Sequence, residues 1–158
     1  MTWYDRPDPT GRTDTGERGL RFSCTCCGAC CTGPPGYVLF TDEEADAMAE
    51  LLGITRSAFE DRFTHETPEG RSLTEKRSAF GFDCVFLDRT TIPGKAVCGV
   101  YGARPTQCRT WPFWADNTAT PHHWASAARG CPGMNSGELH SPETIRLTVE
   151  RDNGARRR

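Results

Sequence analysis

The sequence Cys24-Thr25-Cys26-Cys27-Gly28-Ala29-Cys30-Cys31 places five cysteines within one short stretch. Four of them follow the pattern C-x2-C-x2-C-C, and Cys26 stands between the first two. Two-residue spacers let a loop direct successive sulfurs at one centre, as they do in zinc sites and in iron–sulfur proteins. This stretch therefore predicts a fold that is organised around bound metal.

Four further cysteines lie at wide intervals along the chain, and with Cys26 set aside there are eight candidate ligands. Cys26 is interpreted as a free thiol or a spare ligand. The predicted metal ligands are Cys24, Cys27, Cys30, Cys31, Cys84, Cys98, Cys108 and Cys131. Eight thiolates suit two four-ligand centres or one larger cluster. In an extended segment neighbouring side chains point apart, so Cys30 and Cys31 are expected to face two metals or two corners of one cluster.

The identity of the metal is left open by these ligands. Zinc accepts four thiolates in a tetrahedral site and has no redox chemistry. An iron–sulfur cluster accepts the same ligands and would make the protein an electron carrier, a sensor or an accessory of a radical enzyme. The expected cofactor is therefore zinc or an iron–sulfur cluster.

The composition indicates a single domain with a small apolar core. The chain has 158 residues, of which 36% are hydrophobic, with 16 glycines and 11 prolines. Such a loop-rich chain needs additional crosslinks, and a structural zinc site contributes on the order of 10 kcal/mol of folding free energy. We expect a flexible N-terminal arm over residues 1–20, one cysteine-cluster domain over 21–150 and a flexible basic tail over 151–158.

The N-terminal residues are polar and charged, without the apolar region of a secretory signal. No stretch is long and apolar enough to cross a bilayer. We therefore expect a cytoplasmic protein with no membrane segment. Thiols stay reduced in that compartment, and nine is an odd number of cysteines, so metal ligation is favoured over a disulfide framework.

The charge and the motifs exclude several classes of function. A net charge of −2 argues against general nucleic-acid binding, which requires a strongly basic domain. No nucleotide-binding, phosphate-binding, hydrolase or zincin motif is present, so no catalytic residue is assigned and no independent enzyme is supported. A protein partner of unknown identity is compatible with the sequence.

Local patterns predict a small α+β or irregular domain with a helical hairpin and short strands around a cysteine-rich metal core. Thr41 and Glu44 form a capping box at the start of a helical hairpin over residues 41–64, in which Gly53 ends the first helix. Apolar runs predict short strands at residues 37–40, 84–87 and 96–98. The last two would pair and bring Cys84 and Cys98 together.

Two arginines flank Cys108 and are candidates for hydrogen bonding near the metal. Eight thiolates around two divalent ions carry a charge of −4, which requires donors and cations nearby. Arg104 and Arg109 are expected to supply them, the alternative being that they make ordinary surface ion pairs. Arg109 is expected to contribute to metal affinity. The aromatic residues Trp111, Phe113, Trp114 and Trp124 are interpreted as core packing rather than as a docking surface.

The complete pattern resembles the YkgJ family of cysteine-cluster proteins, a zinc- or iron-chelating domain with a CxxCxxCC motif. The matching segments are Phe22-x-Cys24-x2-Cys27-Gly28-x-Cys30-Cys31, Cys84-x-Phe86-Leu87-Asp88 and Cys98-x2-Tyr101-x2-Arg104-Pro105-x2-Cys108-Arg109-x-Trp111-Pro112-Phe113. The similarity spans residues 22–134 and includes Cys131. It implies a metal-chelating domain whose ligands are the matching cysteines.

Two functional hypotheses follow. In the first, the chain is a structural or accessory metal-binding module whose metal holds a surface for a partner. In the second, an iron–sulfur centre performs redox work or electron transfer in an oxidoreductase or methyl-transfer system. The colour of the purified protein would distinguish them, because zinc proteins are colourless and iron–sulfur proteins are brown.

Overall fold

The computed structural model describes residues 1–11 and 16–156, and its architecture is α+β, as predicted. The helices of this part of the chain are α1 (Asp42–Leu52), α2 (Arg56–Phe63), α3 (Thr106–Thr110), α4 (Ala115–Thr118), α5 (Pro121–Ala128) and α6 (Pro142–Arg156). The strands are β1 (Leu20–Phe22), β2 (Thr32–Gly33), β3 (Thr64–Thr67), β4 (Gly70–Leu73), β5 (Glu75–Ser78), β6 (Gly81–Cys84), β7 (Leu87–Asp88), β8 (Val97–Cys98) and β9 (Met134–His140). Short 3-10 turns occur at Trp3–Asp5, Ala29–Cys31 and Tyr101–Ala103.

The chain divides into two compact units. The terminal unit consists of Met1–Cys27 and Thr110–Gly154, and the central unit consists of Gly28–Arg109 and the end of the chain from Ala155. Residues 12–15 of the predicted arm, and the last two residues of the predicted tail, lie outside the described residues.

The terminal unit is built around an antiparallel pair, β1 with β9. Its buried core consists of Tyr4, Leu20, Phe113, Trp124, Cys131, Met134 and Ile145. Phe113 and Trp124 stack with ring centroids 5.8 Å apart, which confirms the prediction that these two aromatic residues are core packing. Tyr4, within the predicted arm, is only 4% exposed.

The central unit contains the predicted helical hairpin. Thr41 Oγ1 accepts a hydrogen bond from the Glu44 backbone, and the Glu44 carboxylate accepts one from the Thr41 backbone, which confirms the capping box. Gly53 ends α1 in the left-handed conformation, and Thr55 caps α2. The hairpin buries Ala45, Met48 and Phe59 against Leu73, Phe86 and Val100.

The predicted strand at residues 37–40 is wrong, because its backbone pairs mostly with side chains. The Gln107 carboxamide accepts from the Leu39 N–H and donates to the Tyr37 carbonyl, at 3.0 and 3.1 Å. Only a single bridge, Leu39 with Ser72, remains of the expected strand. A glutamine side chain thus takes the place of a neighbouring strand.

The predicted strand at residues 84–87 is divided in two. Cys84 ends β6, whereas Leu87 begins β7, and the intervening Val85 donates its N–H to the Thr74 carbonyl at 3.0 Å. The expected hairpin exists between β7 and β8, with Leu87 opposite Cys98. The apolar run at residues 84–87 predicted one continuous strand. The backbone instead pairs with β5 at Cys84 and with β8 at Leu87.

The remaining strands of the central unit form two small sheets that are largely polar. β3 and β4 form a hairpin, and β2, β6 and β5 form a three-stranded antiparallel sheet in that order. No helix in residues 1–11 and 16–156 combines the length and apolar character needed to cross a membrane.

Candidate metal centre

All nine cysteines lie in the described part of the chain and none of them forms a disulfide. The two units divide them unequally. Cys24, Cys26, Cys27 and Cys131 belong to the terminal unit, and Cys30, Cys31, Cys84, Cys98 and Cys108 belong to the central unit. We treat these as the terminal group and the central group of cysteines.

In the central group, the 3-10 turn Ala29–Cys31 brings two adjacent sulfurs together. The Sγ atoms of Cys30 and Cys31 are 3.5 Å apart. The expectation that the two side chains point apart assumed an extended backbone, and that assumption is wrong because the segment is helical. Both sulfurs can therefore face the same centre.

The sheet order aligns Cys31 with Cys84. Strand β2 begins directly after Cys31, and β6 ends at Cys84. Because Thr32 pairs with Asp83 in an antiparallel register, the two cysteines stand at the same end of this ladder. Cys98 lies on β8 and pairs with Leu87. Leu87 follows Cys84 by three residues in the chain. Local pairing thus brings thiols from distant parts of the sequence to one region.

Helix α3 carries the fifth thiol of the central group, Cys108, and it is held by Glu44. One carboxylate oxygen of Glu44 accepts from the backbone N–H and the hydroxyl of Thr106, at 2.7 and 2.6 Å. The other oxygen caps α1 through Thr41. A single carboxylate therefore serves the starts of two helices and orients Cys108 relative to the helical hairpin.

The thiols of the central group influence one another electrostatically. A hydrogen bond with Cys31 lowers the pKa of Cys30 to about 7, and the same bond raises the pKa of Cys31. Burial raises the pKa of Cys84 to about 11 and also raises that of Cys108, with the charges of neighbouring thiolates adding to both. Burial raises the pKa of Cys98 as well. Without metal, these thiols mostly retain their protons.

The cations that act on this group are Arg104, at Cys98 and Cys108, and Lys76, at Cys84, whereas Arg109 is bound elsewhere. The Arg104 guanidinium lies over the Tyr101 ring, 3.8 Å from its centroid, and its charge acts against the raised pKa of Cys98 and Cys108. The Arg109 guanidinium instead donates to Glu44 and Thr106, at 3.5 and 3.2 Å. Its side chain is 56% exposed. Arg109 therefore makes the ordinary ion pair that was the alternative for it, because α3 turns this side chain towards Glu44, and its contribution to metal affinity remains to be measured.

Gly28 allows the cysteine loop to pack against the β7–β8 hairpin. It has a φ of +77°, and a Cβ atom there would lie 2.7 Å from the Ala96 Cβ. Neither the left-handed backbone nor the close approach is compatible with a side chain. Gly28 therefore sets how closely the turn bearing Cys30 and Cys31 approaches the hairpin that carries Cys98.

The terminal group has a different environment. Cys131 is 5% exposed, and burial raises its pKa. A hydrogen bond from the Trp111 side chain lowers this pKa, and the charge of Cys27 raises it. The Cys26 backbone N–H donates to Cys24 Sγ at 3.4 Å. Cys26 itself adopts a φ of +56°, which explains its odd position in the spacing: it forms the turn between Cys24 and Cys27.

The donor chemistry of both groups fits a soft metal. Every candidate ligand is a thiol, and thiolates select zinc and iron–sulfur clusters over the hard cations that prefer oxygen. Within residues 1–11 and 16–156, no three or more histidine, cysteine, aspartate or glutamate side chains are arranged to hold a metal ion. The side chains would therefore have to move inward to reach a common ion.

Comparison with known proteins agrees with the cysteine pattern. Residues 23–132, well over half of the chain, match the CxxCxxCC family, described as a "putative zinc- or iron-chelating domain". No solved structure matches this chain. The cysteine spacing and the match over the whole of both cysteine groups lead to one conclusion: the chain belongs to the CxxCxxCC family of zinc- or iron-chelating domains.

Proposed function

We propose that this protein binds zinc or an iron–sulfur centre through its cysteines, and that the metal serves mainly as a structural crosslink in an accessory module. The observation that carries the proposal is the origin of the central group: its five thiols come from four separate segments, a 3-10 turn, β6, β8 and α3. Apart from the metal, these segments are joined by short strand pairs, a few side-chain hydrogen bonds and a small core. A bound metal would connect them directly.

The spacing of the two adjacent sulfurs supports shared ligation. Two thiolates bound to one tetrahedral zinc, at a Zn–S length of about 2.3 Å, stand about 3.8 Å apart. The Sγ atoms of Cys30 and Cys31 are 3.5 Å apart, close to that value. Two of the three remaining thiols, Cys84, Cys98 and Cys108, would complete a tetrahedral site by rotating inward.

The terminal group supports a second site of the same chemistry. Cys24, Cys27 and Cys131 are its predicted ligands, with Cys26 in the turn between the first two. The proposal requires a reducing compartment such as the cytoplasm, where these thiols stay available to metal. Metal binding must displace protons from the buried thiols, so affinity is expected to rise with pH.

The test begins with the metal content. The full chain is purified without oxygen, and zinc, iron and acid-labile sulfide are measured together with the visible absorption spectrum. We expect protein-bound zinc or iron in stoichiometric amount. Protein that contains neither metal after supplementation of the growth medium would refute the proposal. A brown, sulfide-containing protein would favour the redox alternative, in which an iron–sulfur centre transfers electrons.

Serine substitutions then separate ligands from bystanders. Replacing Cys31, Cys84 or Cys108 with serine is expected to reduce metal content and soluble yield, because each change removes one ligand of the central group. Cys26→Ser is the matched control and should be mild. Equal damage from Cys26→Ser would show that the ligand set has been assigned in the wrong register.

A further inference from the structure

A cavity of about 470 Å³ lies in the terminal unit, and no cysteine lines it. This volume is within the usual range for sites that bind small molecules. The residues that determine its character are Trp3, Pro9, Pro121, Trp124, Arg129 and Asn135. Its walls combine two tryptophans, two prolines and two alanines with a hydroxyl, a guanidinium and a carboxamide from Thr10, Arg129 and Asn135.

The aromatic walls are held by hydrogen bonds. The Trp124 side chain is buried, and its Nε1–H donates to Asn135 Oδ1 at 2.8 Å. The Trp3 Nε1–H donates to the Thr118 carbonyl at 2.7 Å. With both indole N–H groups engaged, the two rings contribute apolar wall and no free donor to the cavity. A cavity with such fixed walls can bind a ligand with little loss of side-chain freedom.

Two polar side chains of the cavity, Arg129 and Asn135, can donate hydrogen bonds to a ligand. Asn135 Oδ1 accepts a hydrogen bond from Trp124. The Asn135 Nδ2 donor has no partner among the described residues and is available to a ligand. The Arg129 guanidinium donates to Ser126 Oγ at 2.8 Å and forms no ion pair within the described part of the chain. An unpaired guanidinium next to an amide donor favours an anion, and planar guanidinium groups match carboxylates particularly well.

No carboxylate among the described residues lines this cavity. An adjoining and much smaller cavity is lined by two carboxylates, Asp8 and Glu17, and Arg21 binds Glu17 at 2.5 Å. Neither carboxylate forms an ion pair with Arg129 within the described part of the chain. Asn135 has a φ of +61°, a conformation that costs energy in most residues and is best tolerated by asparagine and glycine. The amide donor is thus held at an irregular position of β9, where the pairing with β1 shifts register.

We propose that this cavity binds a small organic carboxylate with a flat apolar body. The apolar body would lie against the indole rings of Trp3 and Trp124, and the carboxylate would accept hydrogen bonds from Arg129 and Asn135. This site is independent of the cysteines and of the metal chemistry proposed above.

The test uses 3-phenylpropionate as the probe and the indole N–H signals of the ¹⁵N-labelled, metal-loaded chain as the readout. We expect saturable shifts of the Trp3 and Trp124 signals, while those of Trp111 and Trp114 stay in place. The amine 3-phenylpropylamine has the same apolar body and the opposite charge, and it should not produce these shifts. Absence of saturable shifts, or equal shifts with the amine, would overturn the proposal.

Two variants test the polar groups. Arg129→Gln is expected to weaken binding of 3-phenylpropionate by roughly tenfold or more, because a charge-assisted hydrogen bond is lost. Arg151→Gln removes the same charge from an exposed position outside the cavity and should change affinity by less than about twofold. Asn135→Gly keeps the left-handed backbone and removes both the amide donor and the oxygen that holds the Trp124 N–H, so it should also weaken binding. Unchanged affinity in both cavity variants would refute the site.

Metal content is measured on every sample of this series. Since the cavity contains no cysteine, failure of 3-phenylpropionate to bind a fully metal-loaded chain would count against the cavity alone. Absence of metal from a chain that binds the probe would count against the proposed metal chelation alone.

Discussion

At the scale of single residues, the two arginines that flank Cys108 in the sequence have different environments. Arg104 is held over the Tyr101 ring, and its Nε–H donates to the Tyr101 carbonyl at 3.2 Å. Its positive charge favours the thiolate forms of Cys98 and Cys108. Arg109 is bound by Glu44 and Thr106. One arginine can therefore offset negative charge at the cysteines, while the other stabilises the start of α3.

This difference predicts unequal effects on metal binding. Arg104→Ala is expected to weaken metal affinity by roughly 10- to 100-fold, the usual effect of removing a group that supports the ligands. Arg109→Ala removes the same charge and serves as the matched control, with a smaller expected effect. Competition with a chromophoric chelator measures both. Equal losses in the two variants would mean that only the net charge matters.

Asp83 provides a second prediction at this scale. It is 2% exposed, and Arg89 donates two hydrogen bonds to its carboxylate, at 2.9 and 3.0 Å. This pairing holds the pKa of Asp83 well below its ordinary value of about 3.9. A lowered native pKa stabilises the fold above the unfolded pKa, and this stabilisation is lost as pH falls below about 4 towards the native pKa.

We therefore expect Asp83→Asn to reduce the free energy of unfolding by about 3 kcal/mol at pH 7. The difference from the wild type should shrink as pH falls below about 4. Urea denaturation at a series of pH values measures this. Asp61→Asn changes an exposed aspartate on α2 and is the control. A difference that stays constant down to pH 3 would show that the Arg89 pair does not contribute through the carboxylate charge.

At the scale of secondary-structure elements, short polar strands align the cysteines. The β2–β6 ladder brings Cys31 and Cys84 to the same end, and the β7–β8 hairpin carries Cys98. Gly28 allows the cysteine turn to approach that hairpin at the distance of direct contact. Backbone pairing therefore determines which thiols are neighbours, and one glycine determines how close they come.

Gly28→Ala should consequently be more damaging than an ordinary glycine substitution. Gly53→Ala is the matched control, since Gly53 has a similar φ of +67° but nothing within 4 Å of the added Cβ. We expect a loss of about 1–2 kcal/mol in the control, from the left-handed backbone alone. The loss in Gly28→Ala should be clearly larger because of the contact with Ala96. Urea denaturation at a fixed metal concentration compares them, and equal losses would contradict the packing argument.

At the scale of the whole molecule, the proposed metal sites and the fold are expected to be coupled. The candidate ligands span the chain from Cys24 to Cys131, and the two cores are small. Removing the metal would release the proposed crosslinks between these segments. Folding of such domains depends strongly on the bound metal.

We predict that a strong chelator under reducing conditions will reduce the helical circular dichroism signal and lower the melting temperature. Restoring the metal should reverse both changes. As a control, the Cys26→Ser variant should respond to chelator in the same way as the wild type. A metal-free chain with unchanged circular dichroism and melting temperature would rule out a structural role for the metal.

Several elements could be predicted because their signals are local. The capping box at Thr41 and Glu44 and the C-cap at Gly53 use side chains that act on their own helix ends. The start of α6 is similar, because Ser141 Oγ accepts from the Thr144 backbone N–H and Pro142 occupies the first turn. The family could be recognised for the same reason, since the cysteine spacing is itself a feature of the sequence.

Other features depended on contacts between distant residues. The strand expected at 37–40 was replaced by pairing with the Gln107 carboxamide, and no local pattern indicates such a partner. The β3–β4 hairpin is polar, so its hydrophobic pattern is weak. The opposite roles of Arg104 and Arg109 arise from the orientation of α3, which Glu44 sets from 62 residues away.

The amino-acid sequence alone therefore determined the soft-donor chemistry, the family and the capped helices, because each depends on residue identity and short spacing. Only the tertiary structure decided which thiols share a unit, which arginine faces them and how the adjacent sulfurs of Cys30 and Cys31 are oriented. These properties depend on strand register and helix orientation, which result from the packing of segments that are far apart in the chain.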